Sequence, residues 1–555
     1  MLAKKHLPVC FFLIIFFIIT LLTIDDYGLG NDDMGEFFIG DRYVEYYTTR
    51  DSKYLDFEIH EGKDGRKIDY YQDGKHPDWY AYAGWQLLHP IHVWLVGPVL
   101  SSISKHIFYF TFGLDPVDSH RYFLLLITCG ILALLYHFCH KYFNCYIGLY
   151  AVVLLALLPR FWGHAHHNIK DILNCFTTLL FLFLFIKAVR HKSPRFFIFA
   201  ALAYGLGMAT KANILLMPFI VIPYFLMVLH TNKSQIKSWF SKSLVISYCL
   251  FPIISFLIFF LLWPYLWINP VDKISAYIDY IFNRGFNNDR PSYAVFTTLA
   301  AIPAAILPFT FAGIFFAIRS IYLKRKSALY LLLLLWVVIP LGRLSMPNAA
   351  TYDGVRLWLD VFIPLMILSA IGYENTIKRL FNLPSIKALN PVRKQLIRMF
   401  AILFILIPTL RWTIKNHPLQ MLHMNPIAQQ LNPEANKARD YWTLSYRLGL
   451  RWLNEYADKS SLLMIGFNQN VVHPMKAFWI RDDIKVMRLF IYQGSNNLIK
   501  ENLHIINDSK GAVYLMTVDS HMKEISIVNE IRQQKNPIHT IKHKQQVILE
   551  IFKLK

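Results

Sequence analysis

Two adjacent carboxylates, Asp32 and Asp33, follow the first long apolar segment of the chain. In an extended loop, neighbouring side chains point to opposite sides, so one carboxylate can face a cavity while the other is held by its neighbours. An aspartate near a membrane surface can act as a general base on a hydroxyl group. A solvated acidic loop or the N-cap of a helix would also explain the pair. Spacing alone leaves these alternatives open.

A second polar segment, residues 159–171, holds three histidines within four positions, His164, His166 and His167. Imidazole is a common metal ligand. However, the adjacent His166 and His167 point apart on a helix or a strand, and no His-Glu-x-x-His or similar ligand spacing occurs. We therefore expect no metal here. Contacts to a polar substrate, together with a cap for the following helix, are the favoured interpretation.

Four cations interrupt or follow later apolar segments: Lys211, Arg284, Arg290 and Arg356. A cation at a break between membrane helices is costly and usually functional, and Lys211 could neutralise a lipid-linked phosphate. Snorkelling of its long side chain to the membrane interface is the alternative. The three arginines lie in connections where the usual charge bias disfavours cations, which makes them candidates for an anion site or for interface anchors.

The elements that must position these groups are membrane helices. Of the 555 residues, 55% are hydrophobic and only 17% are charged, whereas a soluble domain carries about a quarter charged residues. About eleven apolar segments have the length that a bilayer requires. They centre on residues 8–24, 120–139, 145–159, 172–188, 195–209, 212–230, 243–268, 295–318, 327–342, 355–373 and 396–414.

The net charge of +21 could indicate nucleic-acid binding, but in this chain loop lysines and arginines that fix membrane orientation explain it better. They concentrate in alternate connections, which predicts a cytoplasmic N-terminus. The first apolar segment lacks a small-residue cleavage site and favours an uncleaved signal-anchor over a signal peptide. An odd number of spans then places the C-terminal region on the outer side. We expect no nucleic-acid partner.

Two parts follow from this pattern. Residues 1–414 form a transmembrane domain, in which 25–118 is a first outer loop with interfacial helices. Residues 415–555 form a small outer α/β domain, with a helix near 444–457 and strands near 462–467, 512–516 and 547–552. The six cysteines lie in or beside apolar segments and show no Cys-x-x-Cys spacing, so we expect neither disulfides nor zinc.

Five segments, in order, resemble motifs of the GT-C glycosyltransferases, specifically family 39, which includes protein O-mannosyltransferases and bacterial aminoarabinose transferases. Residues 28–34 stand where the family has a Trp-Asp-Glu-Pro-like motif, and 160–171 are similar to its Arg-Phe-x-Gly-His-x-x-x-Asn-Pro-Lys-Asp loop. Residues 205–211 resemble Gly-x-x-x-x-Thr-Lys, 352–356 resemble Tyr-x-Gly-x-Arg, and 440–447 resemble a segment after the last span.

The chain departs from these motifs at four positions. Asn31, Asp33 and Met34 replace the family tryptophan, glutamate and proline of the first motif, and Ile169 replaces the proline of the second. The first departure bears on activity or on the choice of acceptor, and the second has little consequence.

The resemblance implies an inverting glycosyltransferase of the bacterial inner membrane that uses a polyprenyl-phosphate sugar and acts at the periplasmic face. Its acceptor would be the hydroxyl of a lipid, a glycan or a protein. Cations at the leaving phosphate would make the reaction metal-independent, with no cofactor. The implied catalytic residues are Asp32, as the base, and Asp33. The implied donor-phosphate ligands are Lys211, Arg284, Arg290 and Arg356. The implied substrate-positioning residues are His164, Lys170, Asp171 and Tyr352.

Three other functions fit parts of the pattern. A transporter or flippase would show inverted repeats and charges near the bilayer midplane, but the sequence shows no repeat and its polar motifs cluster at one face. A catalytically altered protein that binds lipid-linked sugar would explain the departures at Asn31 and Met34. An oligosaccharide-transferring ligase would share the architecture.

Overall fold

The part of the chain that the structure, a computed structural model, describes contains twenty α-helices, five β-strands and several short 3₁₀ or π turns. That part comprises residues 2–30, 32–55, 94–283, 291–347, 349, 351, 354–432, 440, 442–465, 479–488, 506–518, 531–544 and 546–555. The helices up to the middle of the chain are α1 Leu2–Leu22, α2 Asp33–Thr49, α3 Val96–Lys105, α4 Pro116–Ser119, α5 Tyr122–Tyr142, α6 Cys145–Ala156, α7 Pro159–His167, α8 Ile169–His191, α9 Pro194–Met208 and α10 Pro218–Thr231. The remaining helices are α11 Lys242–Leu262, α12 Pro270–Asn283, α13 Tyr293–Ala301, α14 Leu307–Tyr322, α15 Ser327–Leu344, α16 Phe362–Phe381, α17 Pro384–Lys387, α18 Pro391–Lys415, α19 Pro426–Leu431 and α20 Tyr446–Tyr456.

The multi-pass membrane architecture is confirmed. Within the described residues, eight helical segments are long and apolar enough to cross a membrane. The pair α6 and α7, bent by 68°, makes a ninth if it is one span. The predicted count of eleven is reached only with the shorter apolar helices α9 and α14. The predicted segment 295–318 is divided because Ile302, which precedes Pro303, is extended and separates α13 from α14.

Helix α16 lies at the centre of the bundle. In its span, 94% of the apolar window is buried, against 22% in the spans of α1, α11 and α18, which therefore lie at the periphery. Close packing of α14 on α16 depends on two glycines. A Cβ at Gly313 would lie 1.8 Å from the Leu368 oxygen, and one at Gly372 would lie 2.0 Å from the Phe309 oxygen. Small residues at such crossings let membrane helices approach closely.

Helices α2 and α3 pack together after α1. The ammonium group of Lys105 on α3 lies 2.6 Å from the Asp41 carboxylate on α2, and both side chains are fully buried. Because removal of one partner would leave an uncompensated charge, this ion pair fixes the relative position of the two helices.

The C-terminal part contains the expected small α/β unit. Its strands are β1 Leu462–Ile465, β2 Lys485–Arg488, β3 Val513–Val518, β4 His539–His543 and β5 Gln546–Lys553. They form one sheet in the order β2-β1-β3-β5-β4, in which β1 pairs in parallel with β2 and β3, and β5 pairs antiparallel with β3 and β4. Strands β2 and β4 were not predicted, because they are short and carry polar residues.

Candidate active site

Asp32 stands at the start of α2, in the N-cap position, but its side chain makes no capping hydrogen bond. Its carboxylate instead accepts a hydrogen bond from Arg356 at 2.8 Å and lies 3.7 Å from the Lys170 ammonium group. Burial raises the pKa of the Asp32 carboxyl, but the charges of Arg356 and Lys170 outweigh that effect and hold it below its ordinary value. Asp32 is therefore an ionised, partly exposed carboxylate between two cations.

Asp33 is buried and bound separately from Asp32. Its carboxylate accepts hydrogen bonds from the Gly30 amide at 2.8 Å and from Arg121 at 2.9 Å. Burial raises the pKa of the Asp33 carboxyl despite the neighbouring Arg121 charge. The two carboxylates thus have different partners, although the backbone at Asp32 is helical and not extended as predicted.

Arg121 connects this loop to the C-terminal region. It also donates to the backbone oxygens of Tyr27 and Gly28, at 3.0 and 2.7 Å. Asp118 lies 3.6 Å from Arg121 and accepts two hydrogen bonds of 2.8 Å from Arg447 on α20. A series of buried ion pairs therefore joins the loop before α2 to the helix that precedes the sheet.

The same loop packs directly against the segment before α20. A Cβ at Gly28 would lie 2.3 Å from the Leu444 oxygen, and one at Gly30 would lie 2.5 Å from the Trp442 ring. Glycine is required at both positions because the two segments approach this closely.

The break between α7 and α8 positions a second set of polar groups. The Asn168 side chain caps α8 by accepting from the Asp171 amide at 3.1 Å, which confirms the expected helix cap. Its amide group donates to the Asp171 carboxylate at 2.7 Å and to the His164 Nδ1 at 3.0 Å. His164 Nδ1 is then an acceptor, so the neutral ring carries its proton on Nε2.

Lys211 extends from the break after α9 to Asp171. Its ammonium group lies 2.5 Å from the Asp171 carboxylate and 3.5 Å from the backbone oxygen of Arg356. The side chain is buried, so it does not snorkel to a membrane interface. This geometry brings Lys211, Asp171 and Arg356 together, as three separate motifs of the sequence had suggested.

Glu36, one turn after Asp32 on α2, completes the arrangement. It lies 2.7 Å from the Lys170 ammonium group, and burial raises the pKa of the Glu36 carboxyl to about 7 despite that charge. The six charged groups that meet here form what we call the carboxylate–cation cluster. Its members are Asp32, Glu36, Asp171, Lys170, Lys211 and Arg356.

An aromatic wall borders the cluster. The Arg356 guanidinium group lies 4.9 Å from the centre of the Trp442 ring, and the His167 ring lies 4.7 Å from the same centre. The Nε2 of His164 and both ring nitrogens of His167 are buried without a hydrogen-bond partner among the described residues. Buried polar atoms of this kind are usually satisfied, so they are candidates for contacts to a polar substrate.

Several predicted residues cannot be placed. Arg284, Arg290 and Tyr352, like Asn31, lie outside the described residues, so their roles stay predictions. Conversely, Glu36 and Arg121 were not predicted. Two features of the sequence could have indicated them. Glu36 follows Asp32 by four residues, which is one turn of a helix, and Arg121 is the arginine at the start of the second span. No group of three or more His, Cys, Asp or Glu side chains suited to a metal ion occurs in the described part of the chain.

Part of the chain matches a protein family, and its fold resembles solved structures. Residues 97–263 match the family model described as dolichyl-phosphate-mannose-protein mannosyltransferase. The solved structure of ArnT from Cupriavidus metallidurans bound to undecaprenyl phosphate shares the fold, with a TM-score of 0.52 and 11% identity over 98% of each chain. ArnT in the apo state gives a TM-score of 0.51, also with 11% identity, over 99% of this chain and 98% of that one.

A third structure is the archaeal oligosaccharyltransferase AglB from Archaeoglobus fulgidus, in complex with an inhibitory peptide and a dolichol-phosphate. It matches with a TM-score of 0.50 and 13% identity, over 92% of this chain and 69% of that chain. No match was found among curated protein sequences. The protein is thus a membrane protein with the GT-C glycosyltransferase fold. The family model covers two of the five motifs, residues 160–171 and 205–211, and the fold agrees with the resemblance over nearly the whole chain.

Proposed function

We propose that this protein transfers a sugar from a polyprenyl-phosphate-linked donor to an acceptor hydroxyl group. The observation that carries the proposal is the carboxylate–cation cluster, in which the ionised Asp32 lies beside Arg356 and Lys170 on a GT-C fold. The undecaprenyl phosphate in ArnT and the dolichol-phosphate in AglB support a lipid phosphate as the donor carrier.

Asp32 is the proposed general base. The acceptor oxygen attacks the anomeric carbon in line while its proton passes to the Asp32 carboxylate and the bond from sugar to phosphate breaks. A single displacement of this kind inverts the anomeric centre. Without a donor, Arg356 and Lys170 neutralise Asp32. A bound donor phosphate would attract both cations away from Asp32. The basicity of Asp32 would then rise at the stage when the acceptor must lose its proton.

Cations stabilise the leaving group. The donor phosphodiester carries about one negative charge and the leaving monophosphate gains nearly another, so Lys211, Lys170 and Arg356 bind the transition state more strongly than the ground state. The predicted ligands Arg284 and Arg290 would add to this effect. Because side-chain cations can supply the stabilisation, we propose a metal-independent reaction.

The other predicted residues have supporting roles. Asp33, bound by Arg121, holds the loop that presents Asp32. His164 and Asp171, with the predicted Tyr352, position donor or acceptor. The acceptor class is a lipid, a glycan or a protein.

The family resemblance supports a location in the bacterial inner membrane. The charge distribution supports a cytoplasmic N-terminus and a periplasmic location of residues 415–555. A reporter fused to the C-terminus tests this orientation. Activity of a reporter that works only in the cytoplasm would contradict it.

The function is tested by transfer from a labelled polyprenyl-phosphate sugar in membranes that contain the protein. We expect Asp32→Asn to lower the transfer rate about 10²- to 10⁴-fold, because general-base catalysis contributes that much. Asp272→Asn, which removes an exposed carboxylate on α12, is the matched control and should leave the rate unchanged. Full activity of Asp32→Asn would refute the base assignment. Donor binding without transfer by the wild type would instead support the catalytically altered binding protein.

A further inference from the structure

A second group of cations lies at the other end of α8. The guanidinium group of Arg190, at the C-terminal end of α8, lies 4.6 Å from the centre of the Tyr142 ring at the end of α5. The Lys326 ammonium group, just before α15, donates to the Tyr142 backbone oxygen at 2.7 Å. Lys141 lies 5.8 Å from the same ring. Three helices thus bring cations to one tyrosine, and we call Lys141, Arg190 and Lys326 the basic cluster.

The Tyr142 side chain is only 3% exposed, and its hydroxyl group has no hydrogen-bond partner among the described residues. The Arg190 charge acts on this hydroxyl and on that of the buried Tyr224 on α10. A buried hydroxyl group without a partner, beside a guanidinium group, is a donor pair suited to a phosphate oxygen.

No carboxylate of the described residues lies within 4.0 Å of any member of the basic cluster. Other cations at this end of the bundle are satisfied differently. Arg398 and Lys378 pair with Glu374, at 3.2 and 3.3 Å. Orientation of the chain in the membrane requires only that cations be present on one side. It does not require that they converge on one buried hydroxyl group.

The position of the basic cluster favours a lipid over a soluble anion. Spans of the bundle end at Tyr142 and His191, and another begins at Ser327, so the cluster lies where helices leave the apolar layer. On the outward face of α10, opposite the buried Tyr224, Ile222 and Leu226 are 56% and 57% exposed and offer apolar surface for acyl chains. Basic pockets between membrane helices are known to bind anionic headgroups.

We infer that the basic cluster, with Tyr142 and Tyr224, binds the phosphate of an anionic membrane phospholipid. The inference is independent of the proposed transfer reaction. The phosphate oxygens would accept from Arg190, Lys326 and the Tyr142 hydroxyl group, and the acyl chains would lie along α10.

The test measures lipid retention by native mass spectrometry on the full chain, purified in detergent and titrated with phosphatidylglycerol or phosphatidylcholine. We expect phosphatidylglycerol to bind preferentially. The double variant Arg190→Gln/Lys326→Gln should bind it about 30-fold more weakly, from about 1 kcal/mol for each cation near a membrane surface. Tyr142→Phe keeps all charges and the ring, and should weaken binding about fivefold through loss of one hydrogen bond.

Lys233→Gln/Lys237→Gln is the matched control, because it removes two exposed lysines from the connection between α10 and α11 and should leave the affinity unchanged. Thermal unfolding of each variant in the same detergent shows that it is folded. An equal loss in the control, or no loss in Tyr142→Phe and the double variant, would overturn the inference. Displacement of phosphatidylglycerol by inorganic phosphate at a similar concentration would overturn the assignment to a lipid.

Discussion

Helix α8 carries cations at both ends, and the two ends differ in how those cations are neutralised. Asp171 and Lys170 belong to its first turn and Arg190 to its last, about 30 Å away at 1.5 Å per residue. In the carboxylate–cation cluster each cation has a carboxylate partner and is buried. In the basic cluster the cations have no such partner among the described residues, and Lys141 and Arg190 are exposed.

The difference matches the roles proposed for the two clusters, a reacting site and a binding site. Paired charges in a buried site are held in place before the substrate arrives and can be redistributed during the reaction, which is the electrostatic preorganisation that catalysis requires. Unpaired cations at a membrane surface attract an anion without rearrangement. If this difference in pairing governs stability, catalysis and pH response, variants of the two clusters should differ in all three.

The largest expected effect is on stability. Asp171→Asn removes the carboxylate that pairs with the buried Lys211 ammonium group, and we expect the free energy of unfolding to fall by about 3–5 kcal/mol. Chemical denaturation in detergent measures it. The double variant Asp171→Asn/Lys211→Met should recover most of the loss. A stable single variant would show that the pair does not neutralise a buried charge.

The next largest effect is on catalysis. Arg356→Gln removes the cation nearest to Asp32, and we expect transfer to fall about 10²- to 10³-fold, as when one oxyanion-stabilising donor is lost. Arg190→Gln should leave transfer within about twofold of the wild type. Rates are compared in membranes at equal protein content, and similar losses in the two variants would remove the proposed distinction between the clusters.

The free energy of unfolding should depend on pH through Glu36. Its pKa is raised from 4.5 to about 7, so the folded protein binds more protons than the unfolded chain within that window, and stability falls as the pH rises. Between pH 5 and 7 the free energy of unfolding should fall by about 2 kcal/mol. The contribution of the protonated Glu36 disappears in full only above pH 7. Glu36→Gln should flatten this part of the curve of unfolding free energy against pH. An unchanged slope in the variant would assign the effect to another group.

The smallest effect concerns the basic cluster. Arg190→Gln removes an exposed cation that pairs with no carboxylate in the described part of the chain. We expect the free energy of unfolding to change by no more than about 0.5 kcal/mol in zwitterionic detergent. The thermal midpoint, measured beside Lys237→Gln, checks this. A loss of several kcal/mol would mean that Arg190 is a structural residue.

Much of this arrangement is predictable from local patterns. Apolar length located the spans, and the motifs around Asp32, Asp171, Lys211 and Arg356 fall together in space because each lies at a helix end on the same face. The partners of these residues were harder to foresee. The contact between Arg121 and Asp33 depends on how α5 packs beside the loop, and the pairing of Lys170 with Glu36 depends on the direction of α2.

In the C-terminal sheet, too, the local sequence identifies only some of the strands. Strands β1, β3 and β5 carry apolar runs that identify them. Strand β4, with the sequence His-Thr-Ile-Lys-His, is defined by its partner β5 rather than by its own composition. Long-range pairing therefore decides what local propensity leaves open.

The glycine contacts of the first loop have a consequence for biosynthesis. Gly28 and Gly30 contact Leu444 and Trp442, so the two segments that meet here are more than four hundred residues apart in the chain. The segment that supplies Trp442 leaves the ribosome after the helix α18 has been made. The site therefore stays incomplete while the bundle is being inserted, and closure of this contact is among the last steps of assembly. A nascent chain that stops short of Trp442 would carry every charge of the cluster yet lack the surface against which the Asp32 loop is held.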